Sequence, residues 1–258
     1  MENLNREAIL KYLPTGHKFE ITVLNETDST NNCIKRLSRP ENGAVFIAER
    51  QTAGRGRRGN SFYSPSGVGI YMSVFADKKL LCDDVGLVTS CVAVAVATAV
   101  DDLCGTHCGI KWVNDIFLNG KKLCGILCEV ISKQCDGEKI EGCVIGIGIN
   151  VLNSAVPKEL QNTVTSIENE TGKAVSRNLL AAKIIDCLFT LLENCKSGEF
   201  LNESRKRSVI LGKEITVEAG GECFTAAAKK IDDGGRLIVE TNGEKKTLSF
   251  GEVHLKIK

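Results

Sequence analysis

The segment Val144-Ile145-Gly146-Ile147-Gly148-Ile149-Asn150 alternates branched apolar residues with glycines. Side chains of a strand point to opposite faces with a period of two residues. One face of this strand is therefore stripped of side chains, and such glycines mark places where a ligand or another backbone comes close. The bare face serves either as a flat floor for a planar ligand, with Asn150 at the strand end to bond a ribose or phosphate, or as a tightly packed core strand. Either way the chain must build a sheet around residues 141–150.

The flanking pattern supplies the rest of that sheet. Glu20–Leu24 alternates as a strand, and Asp28-Ser29-Thr30-Asn31 reads as an N-cap cluster for a helix through Leu37. Ala44–Glu49 and Gly69–Phe75 read as strands, Asp84–Leu103 as a long helix, and Ile110–Val113 as a strand. Ile116–Leu118 and Lys122–Val130 flank Asn119-Gly120, the dipeptide that favours a tight hairpin turn. Residues 1–17 hold a short helix or a loose arm. After a loop containing Pro157, a helix runs from Ser176 to about Leu192, and a shorter one ends near Ser208. Beyond Val209 the pattern changes to short strands with glycine-rich turns: Glu214–Glu218, Cys223–Ile231, Leu237–Thr241 and Lys246–Phe250. The expectation is an α+β fold, a mixed β-sheet flanked by helices over residues 1–208, followed by a small β-barrel over 209–258.

Charge excludes some partners. With 33 basic and 32 acidic residues the formal net charge is +1, so no global field draws the chain to nucleic acid or anionic membrane. Anion binding must come from a local cluster. The apolar run Leu87–Val100 falls short of the roughly 20 residues that span a bilayer, and the N-terminus lacks the features of a signal peptide. The twelve cysteines include no C-x-x-C pair, and the expectation is reduced thiols in a cytoplasm. Cys104 with His107 and Cys108, and separately Cys124 with Cys128, have spacings that bear on zinc; neither matches the paired knuckles of structural sites, so no structural metal is expected.

Two further segments carry chemistry. In Gln51-Thr52-Ala53-Gly54-Arg55-Gly56-Arg57-Arg58-Gly59, three glycines free the backbone while three arginines offer planar charged forks suited to phosphate or carboxylate. No Gly-Lys-Ser/Thr follows, so it is not a P-loop, and Asn60–Ser66 reads as more loop, unlike a dinucleotide fingerprint. It is either a ligand grip or a solvated basic turn. In Lys111-Trp112-Val113-Asn114-Asp115, followed by Lys122-Leu-Cys-Gly-Ile-Leu127, the Asn-Asp pair could hold Mg²⁺ through oxygen, with Lys122 adding charge at the same mouth. A plain hairpin with exposed lysines and a capped turn is the reading this segment favours by itself.

Together, Glu26-Thr-Asp-Ser-Thr-Asn31, Gln51–Gly59, Lys111–Asp115, Lys122–Leu127 and Gly146-Ile-Gly-Ile-Asn150 resemble, in this order, the motifs of biotin–protein ligases over about residues 20–258. Val113 stands where the family usually carries proline, and Phe62 where tryptophan occurs. The resemblance implies a class II synthetase-like catalytic domain with an SH3-like C-terminal barrel. It implies that biotin and ATP give biotinyl-5′-adenylate, and that the biotinyl group then passes to a lysine of a biotin carboxyl carrier domain of a carboxylase. By the same resemblance Ser29, Thr30, Asn31, Gln51, Gly54, Arg55, Lys122 and Gly125 bind biotin. Arg57, Phe62, Asn114 and Asn150 bind the nucleotide, with Phe62 stacked on adenine. Arg55, Arg57, Lys122 and Asp115 are the catalytic candidates, Asp115 also supporting Mg²⁺, and Arg58 is a solvated neighbour. Homodimerisation through sheet edges is a further implication of the family. A lipoate–protein ligase shares the fold and the adenylate chemistry. A biotin-sensing DNA-binding regulator is disfavoured, because the residues before Glu20 are too few for a winged helix, and neither DNA nor membrane is an expected partner.

Overall fold

The computed structural model describes residues 2–15, 18–153, 157–249 and, for backbone alone, 252–255. Among these residues the strands form two sheets. The larger contains β1 (Glu20–Thr27), β2 (Ala44–Gln51), β3 (Gly69–Asp77), β4 (Gly109–Lys111), β5 (Asp115–Leu118), β6 (Lys121–Cys135) and β7 (Glu138–Asn150). Their spatial order is β1-β2-β3-β7-β6-β5-β4. The β1–β2 pair is parallel, joined through α2 (Thr30–Arg36), and the remaining neighbours are antiparallel. Asn119 and Gly120, with φ of 48° and 82°, make the tight β5–β6 turn that Asn-Gly anticipates.

The alternation in β7 decides what each face does. Ile145, Ile147 and Ile149 are almost fully buried in the main core. That core also takes α3 (Val85–Cys104) and α5 (Arg177–Glu193), which pack on each other, and α6 (Phe200–Lys206), which packs on α3. On the opposite face α2 covers β2, β3 and β7, where Ile34, Ala44, Phe75 and Val144 make a second, smaller core. Register places Ser73, Gly146 and Leu127 in one cross-strand row and Tyr71, Gly148 and Gly125 in the next. The bare glycine rows thus continue one face of the sheet beyond the end of α2.

Helix α3 is longer than the apolar run suggested. Its 20 residues meet the length and composition of a bilayer span, but 67% of its apolar window is buried inside the protein. It is the central core helix. The short helix α4 (Ile167–Thr171), capped by the Ser166 side chain, was not legible as an apolar period and lies within the segment read as loop. The N-terminal arm is built into the fold as well. Glu49 accepts from the Leu4 backbone at 2.6 Å and from Arg177 at 2.6 Å, while Asn178 bonds the backbone of Asn3 and Asn5 on either side of Leu4. Helix α1 (Arg6–Tyr12) then packs on α5.

Cys82, before α3, and Cys195, after α5, stand side by side with Cα atoms 6.2 Å apart, a separation a disulfide can bridge. The remaining cysteines of the described residues are free.

The second sheet is antiparallel, with β8 (Glu214–Ala219), β9 (Glu222–Ile231), β10 (Leu237–Thr241), β11 (Glu244–Leu248) and β12 (Glu252–Leu255) in the order β11-β10-β9-β8-β12. Its fifth strand, β12, exceeds the four read from sequence; Phe250, expected within a strand, lies outside the described residues. Residues 207–209 run beside β4, with Ile110 N–H donating to Arg207 O at 2.7 Å and Val209 N–H to Ile110 O at 3.0 Å. A side chain at Gly109 would meet Val209 Cγ1 at 2.2 Å, so glycine is what lets this connection close on β4.

Candidate functional site

The glycine–arginine segment is a small hairpin rather than open loop. Phe62 N–H donates to Gly54 O at 2.8 Å and Gly56 N–H to Asn60 O at 2.7 Å, with Arg55 and Ser61 bridged between them. Its tip, Arg57–Gly59, turns through left-handed backbone at Arg58 (φ 53°) and Gly59 (φ 79°). A methyl at Gly54 would lie 2.4 Å from Phe62 O and 2.7 Å from Ser64 Oγ, so that glycine packs the hairpin base and is not on the cavity wall.

The hairpin leans over a cavity of about 220 Å³ on the bare face of the sheet. Of the residues singled out from sequence, Ser29, Thr30, Asn31, Gln51, Arg55, Arg57, Phe62, Asn114, Asp115, Lys122 and Gly125 line it. Asn150 does not; its amide donates to Thr165 O at 3.0 Å and fastens the chain after β7. Lys111, Trp112 and Met72 line the cavity too, although no role was assigned to them from sequence.

The cavity base is polar and ordered. Ser29 is 2% exposed and occupies the N-cap of α2, yet its side chain makes no cap bond, which leaves its hydroxyl for the cavity. Gln51 Oε1 accepts from the Thr30 backbone at 2.9 Å, and Gln51 Nε2 donates to Ser64 Oγ at 3.0 Å. Asn31 donates to Glu129 Oε2 at 2.8 Å. Ser73 donates to Asn31 Oδ1 and also lies 2.7 Å from Thr30 Oγ1. Ser73 and Glu129 were missed from sequence. A lone serine in the buried strand Ile70-Tyr-Met-Ser-Val-Phe-Ala76 was the available signal; nothing in the pattern of β6 singled out Glu129.

The opposite wall is a network of charge. Arg57 Nη1 donates to Asn114 Oδ1 at 2.9 Å, and Asn114 Nδ2 donates to Asp115 Oδ1 at 3.2 Å. Lys122 Nζ reaches the same Asp115 oxygen at 2.7 Å. Three of the four catalytic candidates are therefore one connected group, positioned by the hairpin tip, the β4–β5 turn and the start of β6. The fourth, Arg55, turns toward Glu129 Oε1 at 3.5 Å and Asn32 Oδ1 at 3.3 Å. The Glu129 carboxyl sits below its ordinary pKa: burial opposes ionisation, and the bonds from Asn31 and Lys35 with the charges of Lys35 and Arg55 outweigh it.

Between base and charged wall lies the floor. An added methyl at Gly148 would meet the Phe62 ring at 2.5 Å, and one at Gly125 would meet it at 3.2 Å. The phenyl ring therefore rests on the surface expected to receive a planar ligand. Trp112, 4% exposed, follows β4 in the wall, and its Nε1–H donates to Gly235 O of the second sheet at 2.9 Å. The Trp112–Val113 peptide is cis. Arg58, expected to be only solvated, donates to Glu218 O on β8 at 3.3 Å, a second link between the sheets.

Comparisons with known proteins agree in region and order. Residues 23–150 match the biotin/lipoate A/B protein ligase family, and residues 210–256 match the biotin protein ligase C terminal domain. The bifunctional ligase/repressor BirA of Escherichia coli is 31% identical over 258 residues, covering 98% of this chain and 78% of that protein. The biotin–[acetyl-CoA-carboxylase] ligase of Mycobacterium tuberculosis is 31% identical, covering 92% and 90%. The structure of the Aquifex aeolicus biotin protein ligase in complex with biotin and ATP superposes with a TM-score of 0.79 at 26% identity, covering 93% of this chain and 99% of that one.

Proposed function

The chain belongs to the biotin protein ligase family, and from that premise we propose how its own residues join biotin to ATP and hand the product to a carrier lysine. The observation that carries the reading is one cavity with two unlike ends, a polar hydrogen-bonding base beside Thr30 and a cationic wall at Arg57 and Lys122. A cyclic urea suits the first end, and a carboxylate meeting a phosphate suits the second. We place the boundary between the catalytic unit and the small C-terminal unit at Ser208.

In the first step an oxygen of the biotin carboxylate attacks the α-phosphorus of ATP, the bond to the β-phosphate oxygen breaks, and pyrophosphate leaves. Two anions must be brought together, so the site has to neutralise charge while holding them in line. Arg57 and Lys122 face that junction, and Asp115 holds the Lys122 ammonium in place. Arg55 adds a third positive charge at the hairpin. Among the described residues no three His, Cys, Asp or Glu side chains converge as a metal cage. Asp115, which has one carboxylate oxygen without a hydrogen-bond partner among the described residues, would hold a Mg²⁺ ion, which would supply neutralisation of phosphate charge.

The glycine rows form the floor for the bicyclic ring, and Phe62 flanks it; contact with adenine requires that ring to turn away from Gly148. The hairpin is held by its own backbone bonds, which suits a flap that moves as one piece and shields the mixed anhydride from water. In the second step a neutral lysine amine of a carrier domain attacks the acyl carbon, the carbon–oxygen bond to AMP breaks, and AMP leaves as the nitrogen loses a proton. Asp115, a carboxylate on the cavity lining, is the group we assign to receive it. No enzyme thiol takes part.

The direct test is pyrophosphate released from ATP when biotin is added, with lipoate in competition. Biotin-dependent release that lipoate does not suppress is the expected result. Release driven by lipoate would assign the chain to the other branch of the fold.

A further inference from the structure

The base of the cavity has more hydrogen-bond acceptors than hydrogens to fill them, and the side chain responsible stands behind the wall. Glu129 lies on β6, its Oε1 ion-paired with Lys35 at 2.6 Å and approached by Arg55 at 3.5 Å. Its Oε2 takes the Asn31 amide at 2.8 Å. A carboxylate only accepts, so Asn31 must present its NH₂ to Glu129 and its carbonyl oxygen to the other side. There Asn31 Oδ1 accepts from Ser73, a fully buried hydroxyl. It also lies 2.3 Å from where a side chain at Gly146 would begin, so glycine is what admits it.

The next links are equally constrained. Gln51 Oε1 accepts the Thr30 backbone N–H at 2.9 Å while its NH₂ donates to Ser64, whose own hydrogen goes to Phe62 O at 2.9 Å. Thr30 Oγ1 lies 2.7 Å from Ser73 Oγ and 3.2 Å from Gln51 Oε1. Ser73 spends its one hydrogen on Asn31. Thr30 has one hydrogen for two oxygen neighbours. Whichever it chooses, the Thr30 oxygen keeps an unfilled lone pair among the described residues, and Thr30 lines the cavity.

We propose that Glu129 is a positioning residue that fixes the hydrogen-bond polarity of the cavity base, turning Asn31 so that the buried Ser73 spends its hydrogen there and Thr30, on the cavity lining, presents an acceptor surface to a ring N–H. This rests on the biotin reading above. A cyclic urea brings two N–H donors and one carbonyl, which complements this surface and the Ser29 hydroxyl beside it. A dithiolane ring brings no N–H at all. Glu129 thereby selects ring chemistry without touching the ligand. If the carboxylate is replaced by an amide, Asn31 can turn over and donate to Ser73. Ser73 is then free to donate to Thr30, which fills one of the two lone pairs of that oxygen and weakens the acceptor surface.

The test is calorimetric binding of biotin to wild type, Glu129→Gln, Asn31→Ala and the double variant, with KM for ATP measured on each. Glu129→Gln should weaken biotin about 10-fold, the scale of one hydrogen bond to a buried group, and leave KM for ATP unchanged. In the Asn31→Ala background, Glu129→Gln should change nothing further. Wild-type affinity in Glu129→Gln, additive losses in the double variant, or an equal shift in KM for ATP would each overturn the proposal. Should Glu129→Gln fail to fold, unchanged biotin affinity in Asn31→Ala overturns it alone, and a comparable loss there supports it. Failure of the wild type to bind biotin would instead remove the functional reading beneath it.

Discussion

Gly148→Ala adds one methyl to the cavity floor, and the structure sets both the size and the place of its effect. The new carbon would stand 2.5, 2.7 and 3.0 Å from atoms of the Phe62 ring. Carbon pairs are at their optimum near 3.5–4.0 Å, so the ring must lift by about 1 Å. Phe62 is only half-buried, and the hairpin that carries it can yield. The free protein therefore escapes most of the clash, and Tm should fall by no more than about 4 °C. With a planar ring lying on the floor there is no such escape. Overpacking costs about 1–3 kcal/mol, which corresponds to biotin binding weakened by about 5- to 150-fold. Gly125→Ala offers a graded comparison, because its methyl would lie 3.2 Å from the ring and 3.4 Å from Lys122 Cε; the loss there should be under about 5-fold. Gly142→Ala is the control. It strikes Ala76 O at 2.4 Å and Phe75 at 2.5 Å, away from the cavity, and should lower Tm while sparing biotin. Calorimetry for biotin and a thermal melt on each variant decide the matter. Wild-type affinity in folded Gly148→Ala, or an equal affinity loss in Gly142→Ala, would refute the assignment of this face as the ligand floor.

Arg57→Ala should reduce biotin-dependent pyrophosphate exchange by about 10²–10³-fold, the scale of one preorganised charge stabiliser, with the protein still folded. Arg177→Met strands Glu49 in a site where the pair is 2% and 10% exposed, and should cost about 3–5 kcal/mol in urea unfolding; adding Glu49→Met should return about half. The depressed Glu129 carboxyl stabilises the fold above its unfolded pKa of about 4.3, and that contribution is lost as pH falls through the lower folded value. Urea midpoints of the wild type should therefore drop more steeply than those of Glu129→Gln below about pH 4.5. Alkylation of the native protein should begin at Cys223, the exposed thiol among the free cysteines of the described residues, and should leave acyl transfer intact; burial holds Cys91 up at about 12 and out of reach. Loss of transfer on modification of Cys223 would implicate a thiol.

Periodicity and turn chemistry carried most of the fold. The Ile/Gly alternation of β7, the Asn119-Gly120 turn and the Ser176 cap of α5 are local rules whose outcome does not depend on distant residues. They placed the sheet strands and the long helices to within a few residues. Most cavity residues were legible as well, since each sits in a compact motif where glycine, arginine or an Asn-Asp pair has its own chemical signature.

What tertiary structure alone decided are properties of pairs far apart in the chain. Asn150 carries the right functional group at the right strand end, yet Thr165, 15 residues further along the chain, takes its amide. Glu129 has no local mark, and it matters only because α2, 98 residues earlier, sets Asn31 against it. Trp112 is tied to the second sheet by a carbonyl 123 residues away, and Arg58 by another at 160. A single sequence states which groups a chain possesses and the local geometry they favour. Which donor meets which acceptor is settled by the packing of layers, where each buried polar group must find its partner.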